Sequence, residues 1–409
     1  MPKPYALLLL TALPCSAFAE TLAFEEARRA MLAANPQVQA ASRSLEAAEH
    51  RVRAARAGLY PSLNASASYA RAGTQGLEPG DSYSYGFNGT QPLFSPAVPA
   101  SVRSASAARR AAQAAYDRAA SRLSFELKSA FADSLSAAET VKLSGETLKR
   151  RAENLELIRL KYEAGRENKA ALLETEAALK TAQWQHERYL KNLLLLGRRL
   201  NRLLGRPART AAPELTLPAP PEPPADLSAY EARLESHPSL RAARAAQDSA
   251  RAAVDSAGSA ALPEASANGS YRWSGSDWPE KRNAWSLGAG VSVPLFAGGR
   301  LAANLGAARS SLSSAQADLK NVSDEVYLAA EDFFLAWREA RAYMDVAKSS
   351  LDAAQARAWL VRKQYLAGQA SYFEWRNVEE QLISEQNQYL SAGRGLAVAH
   401  AAFLQSIGE

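Results

Sequence analysis

Few residues in this sequence have the types and spacing that catalysis, metal binding or nucleotide binding requires. The histidines are scattered, and none stands at a metal-ligand spacing; they are His50, His186, His237 and His400. Gly288 and Gly290 lie in a segment that lacks the third glycine of a dinucleotide-binding loop, and neither a P-loop nor a nucleophile elbow occurs. We therefore expect no enzyme, no metal site and no cofactor.

The charged residues favour a solvated surface over a nucleic-acid partner. The 409-residue chain carries 48 Lys and Arg against 42 Asp and Glu, a formal net charge of +6. The basic residues are spread along stretches of helical composition, and no basic patch or nucleic-acid-binding module is present. We expect no nucleic acid among the partners.

The first residues predict export. Residues 1–19 contain Lys3, an apolar stretch at 7–10 and an Ala17-Phe18-Ala19 cleavage site, which together indicate a secretory signal peptide. The apolar stretch is too short to span a membrane. Cys15, the only cysteine, lies in this segment, and lipid attachment there stays open although Pro14 disfavours it.

The remaining sequence is duplicated. Pro92-Leu93-Phe94 returns as Pro294-Leu295-Phe296 after 202 positions, and KYEAG, ending at Gly165, returns as QYLAG, ending at Gly368, after 203. Such long-range similarity predicts two tandem copies of one unit. The predicted domains are a first repeat at 20–207, a Pro-rich extended linker at 208–226 and a second repeat at 227–409.

Each copy contains a short helix and a very long helical hairpin. The predicted hairpins, at 98–205 and 300–407, are rich in Ala, Leu, Glu and Arg and break at Gly165 and Gly368. A helix of about sixty residues is about 90 Å long. The sequence therefore predicts long packed helices, and a generic coiled-coil rod would explain them but not the segments between them.

Two segments alternate between apolar and small polar residues with the period of a β-strand pair. The predicted β-hairpins lie at 62–94 and 264–296, and each strand has the length of a tilted transmembrane strand. Aromatic residues gather toward one end of the strands, as at a membrane interface. These predicted interface aromatics are Tyr69, Tyr83, Tyr85, Tyr271, Trp273 and Trp285.

Four strands leave two open edges, which a bilayer does not tolerate. Three chains would supply twelve strands and close one barrel around a polar lumen. The strand-to-helix elbows are predicted at Pro92, Leu93 and Phe94 and at Pro294, Leu295 and Phe296. At each elbow the proline should end strand pairing, and the Leu-Phe pair should be buried.

The sequence resembles the TolC-like outer membrane efflux proteins over essentially the whole mature chain. The resemblance rests on LAFEEARRAMLAANPQVQAA, on HPSLRAARAAQ, on the two PLF elbows with FAGGR, and on the tips KYEAGRENKAALLE and QYLAGQASYFEW. It implies a homotrimer that forms a β-barrel in outer-membrane lipid and an α-helical barrel in the periplasm. It also implies a periplasmic adaptor (membrane fusion) protein and an inner-membrane pump of the RND or ABC type as partners.

The resemblance also implies site residues at the helix tips. The implied adaptor-docking residues are Gly165, Arg166, Gly368 and Gln369. The implied periplasmic entrance or gate residues are Glu374, Asn377, Tyr365, Glu174 and Tyr162. Among these, a ring of Glu374 carboxylates is expected to favour cations. Asn377 stands where the family pattern has an acidic residue, and Ala370 stands where it has a basic partner of Tyr365. The closed state should therefore lack the two contacts that these residues make in other family members.

We therefore expect an outer-membrane exit duct of a tripartite efflux system, with a substrate that the sequence does not identify. The alternative is the duct of a type I protein secretion system. A more distant alternative is a trimeric surface adhesin with a coiled-coil stalk, which would place its strands at one terminus. The strands of this sequence are internal and duplicated.

Overall fold

The computed structural model describes residues 21–73, 75, 79–278 and 282–409. The predicted signal peptide, with Cys15, lies outside these residues. The first copy contains strand β1 (Thr21–Ala23), helices α1 (Phe24–Ala34) and α2 (Pro36–Ala57), strands β2 (Ser62–Ala72) and β3 (Gly80–Phe94), and helices α3 (Ala97–Glu163) and α4 (Lys169–Leu203). Strand β4 (Glu214–Thr216) follows in the linker. The prediction of a mainly helical chain with a small β part is confirmed.

The second copy follows the same plan. After a 3-10 turn at Leu227–Tyr230 come helices α5 (Glu231–Glu235) and α6 (Pro238–Ser259), strands β5 (Glu264–Gly275) and β6 (Asn283–Ser292), and helices α7 (Arg300–Leu366) and α8 (Tyr372–Ser406). Helices α3 and α7 have 67 residues each, and α4 and α8 have 35 each. The duplication is therefore present in the structure.

The repeat distance changes between the strands and the long helices. The PLF elbows are separated by 202 positions, whereas the starts of α3 and α7, Ala97 and Arg300, are separated by 203. The second elbow thus holds one extra residue. Its bend runs through Gly298 and Gly299, whose φ angles of 59° and 82° lie in the left-handed region that glycine tolerates best.

The long strands form one antiparallel sheet in the order β2-β3-β5-β6. The register pairs Tyr69 with Tyr83, Phe87 with Tyr271 and Tyr271 with Trp285. Because side chains alternate between the faces of a sheet, this register brings the apolar positions of all four strands onto one face. The outer strands β2 and β6 each pair with one neighbour only among the described residues.

The linker between the copies is less uniform than its composition indicates. Residues Glu214–Thr216 form strand β4, which pairs in parallel with β1. This pairing was not predicted, since a three-residue strand in a Pro-rich segment produces no periodic signal.

The chain divides into two compact units, and each takes segments from both copies. One unit consists of the described residues up to Asn35 with Leu123–Pro223 and Ala336–Ala402. The other consists of Pro36–Arg122, Pro224–Leu335 and Phe403–Glu409. In the described part of the chain, no helix combines the length and the apolar character that a membrane crossing would need.

Candidate functional site

The helix tips of the two copies have the same backbone geometry. Gly165 and Gly368 have φ angles of 70° and 78°, and each follows the last residues of a long helix. The Gly165 N–H donates to the Tyr162 carbonyl at 2.9 Å, and the Arg166 N–H donates to the Lys161 carbonyl at 2.8 Å. These are the two hydrogen bonds of a Schellman motif, which ends a helix on a left-handed residue.

The second tip has the same two hydrogen bonds at the end of α7, and a capping hydrogen bond at the start of α8. The Gly368 N–H donates to the Tyr365 carbonyl at 3.1 Å, and the Gln369 N–H donates to the Gln364 carbonyl at 2.8 Å. Helix α8 then begins with the Glu374 N–H donating to the Ser371 hydroxyl at 3.2 Å. In the first copy, the Ala171 N–H donates to the Asn168 side chain at 2.8 Å. Both turns are thus capped on either side.

The ends of α3, α4, α7 and α8 share one apolar core behind these turns. The Tyr365 and Trp375 rings are stacked, with centroids 4.6 Å apart and planes inclined by 10°. Both side chains are buried. The core consists of Ile158, Ala171, Ala354, Ala358, Val361, Tyr365, Tyr372, Trp375, Val378 and Leu382. It fixes the two hairpin tips against one another.

Tyr365 also makes polar contacts with the tip of the first copy. Its hydroxyl donates to a Glu167 carboxylate oxygen at 3.0 Å, and the Lys161 ammonium lies 3.7 Å from its ring centroid. Burial, followed by the hydrogen bond to Glu167, raises the pKa of the Tyr365 hydroxyl well above its usual value. The group therefore stays protonated and remains a hydrogen-bond donor at physiological pH.

Two of the predicted entrance residues, Glu174 and Asn377, meet at Arg376, which was not among the predicted site residues. The Arg376 guanidinium donates to Glu174 at 2.6 Å and to the side-chain oxygen of Asn377 at 3.3 Å. Glu374 lies in the exposed first turn of α8, where its N–H is used for capping. The Arg376–Glu174 pair joins α8 to α4 and places a positive charge beside the Glu174 carboxylate.

The two copies use their equivalent tyrosines differently. Tyr365 is 2% exposed, whereas Tyr162 is 38% exposed. Ala370, which replaces the basic partner expected from the family pattern, packs partly buried against the tip core. A cation still reaches the Tyr365 ring, but it comes from Lys161 on α3. No periodicity in the sequence indicates this contact, since it joins residues about 200 positions apart.

The predicted interface aromatics form one connected group on the apolar face of the sheet. Tyr69 and Tyr83 lie 5.0 Å apart between ring centroids, and Tyr85 stacks on Trp273 at 5.3 Å. Trp278, in the loop after β5, was not among the predicted aromatics, and its ring centroid lies 5.4 Å from that of Tyr85. The other predicted members, Tyr271 and Trp285, are register partners and are exposed.

The opposite face of the sheet carries small polar residues. The Ser68 and Ser84 hydroxyls are 2.9 Å apart, and their second-copy equivalents Ser270 and Ser286 are 2.8 Å apart. The aromatic face is therefore suited to contact with lipid and the polar face to contact with water, as in the strands of a transmembrane barrel.

The elbows differ from the prediction in two respects. The ladder does not end at Pro92, because Pro92 pairs with Ser266 and Phe94 with Ala265 across a bulge. In the second copy, β6 ends at Ser292, before Pro294. The Leu-Phe pairs are also not buried: Leu93, Phe94, Leu295 and Phe296 are 60%, 54%, 93% and 89% exposed. The sheet of one chain offers no neighbour that covers them.

The described residues contain no group of three His, Cys, Asp or Glu that could bind a metal ion. His400 is buried against the Trp337 ring, at 4.8 Å between centroids, and its Nδ1 lies 3.4 Å from the Lys128 ammonium. Burial, followed by the nearby Lys128 charge, lowers the pKa of His400 to about 4. This histidine is therefore a neutral packing residue at physiological pH.

Comparisons with known proteins agree with this geometry. The family described as outer membrane efflux protein matches residues 27–206 and 229–409. The outer membrane efflux protein BepC of Brucella suis biovar 1 (strain 1330) is 27% identical over 191 residues, which are 46% of this chain and 42% of that protein. The match thus spans less than half the length of this curated relative.

Solved channel structures share the fold. The Campylobacter jejuni CmeC outer membrane channel aligns with a TM-score of 0.83 and 16% identity, over 94% of this chain and 85% of that one. The open state of the Neisseria gonorrhoeae MtrE outer membrane channel aligns with a TM-score of 0.82 and 21% identity, over 94% and 88%. Since the family matches both copies of the repeat, this chain belongs to the outer membrane efflux protein family.

Proposed function

We propose that this protein is the outer-membrane exit duct of a tripartite efflux system and conducts substrates passively to the outside. The observation that carries the proposal is the four-stranded sheet, which has one aromatic and apolar face, one small polar face and two outer strands. Such a sheet satisfies its backbone groups in lipid only when further chains continue the ladder.

Three copies would close a twelve-stranded barrel with the small polar residues inside. In this arrangement Tyr69, Tyr83 and Trp285 lie at the lipid interface, and the exposed elbow residues Leu295 and Phe296 are covered by a neighbouring chain or by lipid. Closed β-barrels of this kind occur in outer membranes, which agrees with the export signal predicted at 1–19. The two repeats, 20–207 and 227–409, would then contribute one hairpin each per chain.

The helix tips would form the periplasmic entrance. Three copies of Glu374, on the exposed first turn of α8, would form a ring that favours cations. Tyr365 and Glu167 would hold the tips closed, together with the Arg376–Glu174 ion pair, whose atoms are 2.6 Å apart. This pair would compensate for the contacts that Ala370 and Asn377 cannot make.

The exposed turns around Gly165 and Gly368 would dock a periplasmic adaptor protein. Arg166 and Gln369 directly follow the two glycines, and their exposed side chains would contact the adaptor. No nucleotide-binding loop or redox motif occurs in the sequence. The energy for transport would therefore come from an inner-membrane pump of the RND or ABC type.

The protein mass of the complex extracted in detergent from outer-membrane fractions tests this proposal. We expect the mass of three chains after the bound detergent is subtracted. A folded monomer would contradict the proposal, because one four-stranded sheet cannot close a barrel. Pore formation by the purified trimer in a planar bilayer would then test conduction directly.

A further inference from the structure

We infer that Arg272 forms a ring of three fixed positive charges inside the β-lined part of the pore and thereby weakens the cation preference of the duct. This inference rests on the proposed function, because it requires three chains around one lumen. It concerns the strand wall and is independent of the helix tips.

The strand register assigns Arg272 to the polar face. Arg272 pairs with Gly86 on β3 and with Ala284 on β6, and Gly86 pairs with Ser66 on β2. Its sequence neighbours Tyr271 and Trp273 lie on the aromatic face, where Tyr271 pairs with Phe87 and Trp273 with Tyr85. Because side chains alternate along a strand, Arg272 faces away from the aromatic side.

The residues beside Arg272 leave room for its side chain. Ala284 and Ser66 are small, and Gly86 has no side chain. A Cβ atom at Gly86 would lie 2.3 Å from the Tyr271 carbonyl oxygen and 2.7 Å from the Arg272 Cα, so the two strands approach too closely there for any other residue. The Arg272 side chain is therefore the longest in the row that it forms with Ser66, Gly86 and Ala284.

Arg272 is also the one cation on the polar face of the described strand residues. The other charged residue on this face is Glu264, at the elbow end of the same strand. The positions are eight residues apart, or about 26 Å along a strand. Within the described residues Arg272 has no ion-pair partner, whereas Arg71, on the aromatic face, lies 3.8 Å from Asp81.

The duplication gives each chain a single arginine of this kind. The equivalent first-copy position, 202 residues earlier, is Ala70, which pairs with Ser82 on the same face. A trimer would thus carry three arginines at one level of the lumen. Arginine is a cation in proteins, so the ring carries three positive charges.

Fixed charges in a water-filled lumen act over the screening length of the solution, which is about 30 Å in 0.01 M salt and about 3 Å in 1 M salt. Three arginines should therefore concentrate anions in dilute salt and have little effect in concentrated salt. The size of the effect must depend on which side of the membrane holds the dilute solution.

Reversal potentials of the reconstituted full-length trimer test the inference, with about 0.01 M KCl on one side, about 1 M on the other, and the sides then exchanged. We expect Arg272→Gln to raise the potassium-to-chloride permeability ratio about twofold when the dilute solution is on the side of the membrane where the β-barrel opens. The ratio should change less when the two solutions are exchanged. Arg272→Lys should match the wild type. Arg71→Gln, on the opposite face of the same sheet end, is the matched control and should leave the ratio unchanged.

The outcomes separate this inference from the proposed function. A wild-type trimer that forms no pore would overturn the proposed function and the ring with it. A conducting pore whose ion preference is the same in the wild type and in Arg272→Gln would overturn the ring alone.

Thiol labelling provides a second test that does not depend on the size of the current change. Cys15 is the only cysteine, so Arg272→Cys in a Cys15→Ser background gives a single reactive thiol. An impermeant thiosulfonate that carries an ammonium group should restore the wild-type ratio, whereas one that carries a sulfonate should raise the ratio further. Equal ratios with the two adducts would contradict the inference. Ala289→Cys, on the aromatic face, should stay unlabelled.

Discussion

The Tyr365 hydroxyl donates to the Glu167 carboxylate at 3.0 Å and so joins the end of α7 to the turn before α4. The same ring stacks on Trp375 and lies under the Lys161 ammonium. One buried side chain therefore links the tips of both copies through the Glu167 hydrogen bond and the Lys161 contact, and the stack on Trp375 holds it against α8 of its own copy.

Tyr365→Phe removes the hydrogen bond and keeps the stacked ring. We expect the closed tips to lose about 1 kcal/mol, which is about a fivefold increase in the open-to-closed ratio of single channels. Tyr343→Phe is the matched control, because Tyr343 is an exposed tyrosine of the same helix and lies away from the tips. Equal open probabilities in the wild type and in Tyr365→Phe would contradict a closing role for this bond.

The Arg376–Glu174 ion pair should also stabilise the closed tips. The two side chains are 35% and 41% exposed, so solvent screens the pair, and we expect a coupling energy of about 0.5–1 kcal/mol. A double-mutant cycle of Arg376→Gln and Glu174→Gln, read as the open-to-closed ratio, measures this coupling. The coupling should shrink in high salt. The exposed pair Arg43–Glu46, within one helix, serves as the control and should not change gating.

Glu374→Gln should lower the cation preference of the pore. Three carboxylates at the entrance concentrate cations, and we expect the potassium-to-chloride permeability ratio to fall about twofold in dilute salt. The measurement is the reversal potential of single channels across a KCl gradient. An unchanged ratio would mean that Glu374 is a solvated capping-turn residue with no role in conduction. Glu156→Gln, on the exposed surface of α3, controls for the loss of a negative charge elsewhere.

Gly165→Ala and Gly368→Ala should destabilise the tips. A Cβ atom would meet no neighbour at either position, so the cost comes from the left-handed backbone alone and is about 1–2 kcal/mol at each. Limited proteolysis of the tips should become faster in both variants. Gly395→Ala, inside helix α8, should have the opposite sign and stabilise the chain by about 0.5–1 kcal/mol.

The buried His400 should make the protein sensitive to mild acid. Its pKa in the folded state is about 4, below the value of 6.5 for the free side chain, so the unfolded state binds the proton more tightly. The free energy of unfolding therefore has its full value above pH 6.5, where His400 is neutral in both states, and decreases as the pH falls toward 4. We expect a loss of about 2–3 kcal/mol per chain over this range. The unfolding midpoint in denaturant at several pH values measures it, and His400→Phe should flatten this dependence.

Local patterns in the sequence predicted most of the fold. The absence of proline and the excess of good helix formers predicted the long helices, whose ends at Glu163 and Leu366 lie just before the predicted break glycines. Alternation of apolar and polar residues predicted the four strands and the residues that share a face, because side chains alternate between the two faces of a strand with a period of two. The trimer, the entrance ring and the docking residues remain predictions.

The elbows show where local patterns are insufficient. The PLF tripeptide is the same in both copies, yet β3 continues through a bulge to Phe94 and β6 ends at Ser292. The difference depends on the partner strand: β3 is an inner strand with β5 beside it, whereas β6 is an outer strand. Strand order is a property of the assembled sheet and is not encoded in three residues.

The sequence by itself determined the duplication, the helix and strand periods and the glycine turns, because each of these follows from interactions between residues close in the chain. Only the tertiary structure decided that Tyr365 is buried and Tyr162 exposed, that Arg376 pairs with Glu174, and that Arg272 stands beside Gly86. These contacts join residues about 200 positions apart. Their partners are chosen by packing and register, and the shared local sequence of the two copies cannot distinguish between them.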